Sequence, residues 1–232
     1  MEYKSVKSFC LRGGRMTVAQ ERSYINLHDS ICIPLSEIPL NYKTIFNNTN
    51  PVVIEIGFGQ GQATAIIAKD NPEINYIGIE VFKAGIGKLL WRIENMQINN
   101  IRIIEGDAVE ILQKMIPDCS ISTFHIFFAD PWPKKKHHKR RLVKRPFTDL
   151  LASKLEYQHV TGTDKSRNSL PYIHFVTDWK EYADFAFAEL SATPQLIASN
   201  TDILHARPKT KFEERAVKAG RPITELVFTK ST

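Results

Sequence analysis

Four acidic residues each close an apolar run: Glu55 in VVIEIG, Glu80 in NYIGIEV, Asp107 in IRIIEGDA and Asp130 in ISTFHIFFADPWP. Carboxylates so placed suit hydroxyl and amine donors of a ligand, because open α/β sheets bind ligands beyond the carboxyl ends of their strands. After Glu55 comes Gly57-Phe-Gly59-Gln-Gly61. Glycines let the backbone approach a ligand with no Cβ in the way, and the following helix offers its N-terminal amides. The spacing departs from the G-x-G-x-x-G of dinucleotide sites: residue 62 is Gln and the third glycine falls one place early. A tight turn without a ligand is the alternative. Glu80 stands about 20 residues beyond the glycines, where a carboxylate accepts from ribose hydroxyls. Asp107 is placed for a nucleobase edge, or else caps the helix 108–116. Pro131 and Pro133 stiffen the backbone around Trp132, which is either a stacking shelf or a core tryptophan. Asp130 itself could be a turn residue.

Charge is the second signal. Between Lys134 and Arg145, KKKHHKRRLVKR holds eight Lys or Arg and no acid, whereas the rest of the chain has 23 basic against 25 acidic residues. One stretch therefore carries more than the whole net charge of +6. Neutralising phosphates releases condensed counterions, so such a run suits nucleic acid; a solvated loop is the plain alternative. His137 and His138 are adjacent, not at metal-ligand spacing, and no metal site is expected. A sparser basic region opens the chain at Lys4, Lys7, Arg12, Arg15 and Arg22.

The elements that must position these groups alternate. Strands are expected at 52–57, 75–81, 101–107, 121–130, 173–178 and 223–229, with helices between them, including 83–96 with Ile86, Leu89, Leu90 and Ile93 on one face. This predicts an α/β domain, a largely parallel sheet with helices on both faces. Residues 1–50 read as an irregular basic extension packed on or near a catalytic domain at 51–232, and TGTDKSRNS (161–169) as a surface loop. With 43% hydrophobic and 24% charged residues, the composition excludes disordered, collagen-like and coiled-coil classes. Three scattered cysteines, no leader-like N-terminus and no 18-residue apolar run predict a soluble, cytoplasmic protein without membrane contact.

Taken together, ExGFGxG (Glu55–Gly61), GIE (ending at Glu80), GDA (Gly106–Ala108) and above all FFADPWPKKKHHKRRLV (Phe127–Val143) resemble the tRNA (guanine-N7-)-methyltransferase family. TDW (177–179), TKFEERA (210–216) and RGGRMTVAQ (12–20) are similar to it too. Two features depart from the family: Ala129 stands where a proline usually precedes the aspartate, and YQHVTGTDKSRNSLPY replaces a short Gly-Gly turn. The resemblance implies a class I, Rossmann-like S-adenosylmethionine (SAM)-dependent fold: a mostly parallel seven-stranded sheet with an antiparallel C-terminal strand. It implies SAM contacts at Glu55, Gly57, Gly59, Gly61, Glu80, Asp107, Ala108 and Asp130, with Asp130 the catalytic position. Lys134, Asp178, Thr210, Lys211, Phe212 and Glu213 would face the guanosine, and Lys135, Lys136, Lys139, Arg140 and Arg141 the tRNA backbone. The enzyme would act on the tRNA variable loop as a monomer or homodimer.

The residues also support plainer roles, since Asp178 with Glu181 and Thr210 with Glu213 have capping-box spacing. Guanine N7 carries a free lone pair, so methyl transfer to it needs positioning rather than a base. Asp130 is accordingly expected to orient the base and stabilise the developing cation. A methyltransferase for an exocyclic amine, a nicotinamide-dependent oxidoreductase and a non-catalytic RNA-binding protein remain the alternatives at this point.

Overall fold

The computed structural model describes residues 7–10, 14–157, 171–203 and 207–231. The 161–169 stretch, Lys4 and Arg12 lie outside the described residues. Chain order is α1 (Val18–Ile31), α2 (Tyr42–Phe46), β1 (Val52–Ile56), α3 (Gln62–Asp70), β2 (Asn75–Glu80), α4 (Lys83–Met96), β3 (Ile101–Glu105), α5 (Ala108–Lys114) and β4 (Thr123–Phe127). A 3₁₀ turn (Lys135–Arg140) follows, then α6 (Phe147–Lys154), β5 (Tyr172–Thr177), α7 (Lys180–Ser191), β6 (Leu196–Ser199), a short 3₁₀ turn (Thr201–Ile203), α8 (Lys211–Lys218) and β7 (Thr224–Lys230).

The seven strands form one sheet in the order β3-β2-β1-β4-β5-β7-β6. Pairs among β1 to β5 are parallel, while β7 runs antiparallel between β5 and β6. The expected architecture is borne out. β1 is buried along its whole length, as a central parallel strand covered on both faces must be. Alternation then sorts the core: Ile54, Ile56, Phe124, Ile126, Ile173 and Phe175 pack under α5, α6 and α7. Val53, Tyr76, Ile101 and Ile103 pack on the other face with α3 and α4. The α4 stripe of Ile86, Leu89, Leu90 and Ile93 is buried as its spacing requires. From β1 the chain winds outward through β2 and β3, then crosses back to β4. The switch point therefore lies beyond the ends of β1 and β4, and Asp130 follows β4 there.

Among the described residues of the first 50, the expected irregular extension is corrected by two helices, α1 and α2. Thr17 and Gln20 form a reciprocal capping box at the start of α1: Thr17 Oγ1 accepts from Gln20 N, and Gln20 Oε1 accepts from Thr17 N at 3.1 Å. α1 lies on α4, where the buried Ser23 hydroxyl donates to Glu94. Tyr24, Leu27 and Ile31 extend the same core. The apolar-polar pattern of this helix is weak because its buried stripe is short and includes a serine; the T-x-x-Q signature is the legible signal. β6, α2 and α8 are further elements that periodicity does not disclose.

Gly85 and Gly87 set how closely α4 is approached. A Cβ on Gly85 would lie 2.0 Å from the Gly59 carbonyl oxygen, a backbone atom that cannot swing away; one on Gly87 would meet the Met16 sulfur at 2.2 Å. Gly85→Ala is expected to cost about 1–3 kcal/mol from forced backbone shifts. In Gly87→Ala the flexible Met16 moves, and helix propensity returns up to about 1 kcal/mol. Thermal denaturation checks this: Gly85→Ala lowers Tm clearly more than Gly87→Ala.

Candidate active site

The glycine turn holds three left-handed residues, with φ of 75° at Gly57, 57° at Gly59 and 63° at Gly61, a conformation that L side chains resist. Their surroundings differ. A Cβ on Gly61 would lie 2.7 Å from Leu89 Cβ, so this glycine serves helix packing. On Gly57 and Gly59 a Cβ would enter open space, so there the glycines serve backbone shape and access.

Glu80 organises this turn. Its Oε2 accepts from Gly59 N at 2.7 Å, and its Oε1 accepts from Val81 N at 2.7 Å and Phe82 N at 3.0 Å. The side chain thus ties the glycine turn to the segment that begins α4. Its backbone carbonyl accepts from Gly106 N at 3.0 Å, which draws the Asp107 turn alongside. Burial raises the Glu80 carboxyl above the usual carboxylate range, and the negative charge of Asp130 pushes the same way. Glu55 is buried in β1; that burial, aided by the charge of Glu80, lifts its carboxyl to about 7. Glu80 is therefore within electrostatic reach of two other sequence-expected acids, Glu55 and Asp130, at the switch point. Asp107 takes its capping role, Oδ1 accepting from Val109 N at 3.0 Å, with Ala108 the first residue of α5.

Asp130 is exposed and lies in a turn bracketed by two left-handed non-glycine residues, Phe128 (φ 54°) and Trp132 (φ 48°). Such conformations cost about 1–3 kcal/mol each and persist only where the surroundings impose them. Here Phe128 N donates to Val176 O at 2.8 Å, and the Pro131 carbonyl accepts from Arg141 Nε at 3.0 Å. The Trp132 indole N–H donates to Ser8 O at 3.1 Å, and the Arg140 guanidinium lies 4.8 Å from its ring. Trp132 is therefore neither a bare shelf nor a core residue: it is half-buried beneath the N-terminal segment.

Beyond the turn, Lys134, Lys135, Lys136 and Lys139 are exposed, the last three on a 3₁₀ turn, while Arg140 is partly occupied by Trp132. Arg141 corrects the expectation of a backbone-gripping residue. Its side chain is 1% exposed, with Nη2 facing Glu181 at 3.2 Å and His138 at 3.1 Å, and it lies over Tyr182 and Phe185. Its donors face inward, so it anchors the cationic turn and adds nothing to its outer face.

On the other side, Asp178 follows β5 and its Oδ2 accepts from Arg221 Nε at 2.9 Å; α7 starts at the uncapped Trp179, so the capping-box reading fails for Asp178. For Thr210 it is half right. Thr210 Oγ1 accepts from Glu213 N at 3.1 Å, but the Glu213 carboxylate turns to Arg207, at 2.6 Å, instead of returning to Thr210. Lys211 opens α8, and the exposed Phe212 stacks on Phe128 with ring centroids 6.5 Å apart. Among the described residues no cluster of His, Cys, Asp or Glu could hold a metal ion.

The family model described as "Putative methyltransferase" matches residues 49–226. The tRNA (guanine-N(7)-)-methyltransferase of Methylobacillus flagellatus is 42% identical, covering 98% of this chain and 92% of that protein. Its namesake from Treponema pallidum is 41% identical, covering 98% and 97%. This chain belongs to the tRNA (guanine-N7-)-methyltransferase family. Solved structures agree on the fold: the 16S rRNA methyltransferase KamB superimposes with a TM-score of 0.55 at 12% identity, covering 82% of this chain and 93% of that one. TrmN from Thermus thermophilus superimposes with a TM-score of 0.52 at 12% identity, covering 91% of this chain and 48% of that one.

In this family member the acids of the switch point make stability depend on pH. A carboxyl raised in the folded state binds more protons there than in the unfolded chain. The stabilisation is therefore complete below the ordinary pKa near 4.5 and is lost as pH rises through about 7. Glu55→Gln is expected to abolish that loss. Urea denaturation should find the variant more stable than wild type at pH 8, by on the order of 3 kcal/mol at most, and similar to it at pH 4.5.

Proposed function

We propose that this chain transfers the methyl group of S-adenosylmethionine to N7 of a guanosine in the variable loop of tRNA, in the cytoplasm. The observation that carries the reading is the gathering of Glu55, Glu80 and Asp130 at one switch point, directly beside an exposed cationic turn. The names of the relatives, near full length and about 40% identical, supply the substrate class.

The crevice fits such a donor on two counts. The Cβ positions of Gly57 and Gly59 face open space, so the backbone there can be approached. Glu80 has three of its roughly four acceptor sites filled by amides, leaving one for a ribose hydroxyl. Glu55 and Glu80 provide negative charge around a cationic ligand, which in turn would hold Glu55 ionised. The donor, when bound, supplies an electrophilic methyl on a sulfonium. Asp107 and Ala108 border the nucleobase side at the start of α5.

No general base is required, because N7 attacks with its own lone pair. Asp130 accepts from the N1–H and exocyclic amine of guanine and offsets the positive charge that develops on the ring. Lys134, Asp178 and the Thr210–Glu213 segment flank the base, and Lys135, Lys136 and Lys139 hold phosphates.

Incubation with methyl-labelled donor and unmodified tRNA, then borohydride–aniline cleavage, tests the reaction. Cleavage at a single labelled guanosine is expected; label without cleavage would move the claim to another atom, and no label would end it. Asp130→Ala should lower kcat by about 100-fold or more while tRNA affinity holds. Replacing Lys134, Lys135 and Lys136 with Ala should weaken tRNA binding and reduce the slope of log affinity against log salt by about two. An unchanged slope would remove the cationic turn from the mechanism.

A further inference from the structure

Arg207 belongs to none of the groups assigned above, yet it bridges two carboxylates from separate elements. Nη1 donates to Glu213 Oε2 at 2.6 Å on α8, and Nη2 donates to Glu225 Oε1 at 2.7 Å on β7. The other Glu225 oxygen lies 2.8 Å from Nε2 of His174, a β5 residue that is buried. The guanidinium sits over two aromatic rings at the end of β4, 5.7 Å from the Phe127 centroid and 5.9 Å from that of Phe128. Arg207 and Glu213 are both largely buried, with side chains 8% and 12% exposed.

We infer that Arg207 is a positioning residue, fixing the Thr210–Glu213 turn relative to the end of β4 from which Asp130 projects. Helix α8 has eight residues, too few to be stable alone. Among its described side chains only Glu213 and Ala216 are buried, so apolar packing holds it weakly. The charge-paired fork is a buried tether for it, and a planar guanidinium with donors in fixed directions sets distance and orientation together. Phe128, beneath that guanidinium, begins the turn that presents Asp130 and also stacks on Phe212. One side chain thereby references the proposed substrate face to the proposed catalytic carboxylate. Its effect on the reaction rests on the function proposed above; its effect on α8 does not.

The test compares full-length wild type, Arg207→Met, Arg207→Lys and Glu225→Gln by amide hydrogen exchange and by methyl-transfer kinetics. In Arg207→Met, exchange over residues 210–219 should quicken about 10-fold or more while β1 and β4 stay protected. The kcat should fall by about 100-fold with SAM affinity within about twofold of wild type, as expected when a group is misplaced rather than lost. Arg207→Lys, which keeps charge without the fork, and Glu225→Gln, which keeps only the Glu213 pair, should fall between. If Arg207→Met does not fold, those two variants carry the same comparison. Unaltered exchange over 210–219, or faster exchange with unaltered kcat, would overturn the inference. A wild type that leaves tRNA unmethylated would instead refute the proposed reaction, and the exchange data would still decide whether Arg207 holds α8.

Discussion

A buried carboxylate at the end of β2 organises the functional end of the sheet. Glu80 collects one amide from the glycine turn and two from the start of α4, so two loops that diverge in sequence are tied through a single group. The arrangement is costly to assemble, because burial disfavours the charge and Asp130 lies within electrostatic reach. Three charge-assisted hydrogen bonds offset part of that cost. They also leave the Gly59 carbonyl and the α4 backbone in close contact, which is why a side chain at Gly85 is costly. Preorganisation of this kind lets a ligand meet a finished crevice instead of ordering one.

The same economy governs the Asp130 turn. Two left-handed residues make the turn strained, and its neighbours hold it: Val176 and Ser8 accept from it, and Arg141 donates to it from inside. Arg141 belongs by sequence to the cationic run but by environment to the core. It packs on Tyr182 and Phe185, and Val143 N donates to the Tyr182 hydroxyl at 3.2 Å. A guanidinium suits this position because it stacks on rings with its faces and donates from its edge.

Much of this is legible in the residues because the chemistry demands particular types at particular places. Glycines before a helix, acids after apolar runs and an unbalanced run of lysines together narrow the chemistry to a few kinds, and β1 to β5 fall where alternation puts them. What stays hidden depends on tertiary partners. Nothing local distinguishes Arg141 from Arg140; only the pocket formed by α7 buries one and leaves the other over Trp132. Arg207 is invisible in the sequence because its partners come from α8 and β7, and His174 looks like any core residue of β5. α1 escapes periodicity because its apolar stripe is narrow, although its cap is written in Thr17 and Gln20.

The cationic turn hangs between an exposed lysine at one end and a sunken guanidinium at the other. Lys135, Lys136 and Lys139 on this turn are exposed, so the core does not constrain what they are, whereas His138 is held against Arg141. Substitution of these lysines can therefore change the surface charge of the turn, residue by residue, without renegotiating the fold or the geometry of the acids. In such an architecture, the charge of the outer rim and the layout of the carboxylates can drift independently.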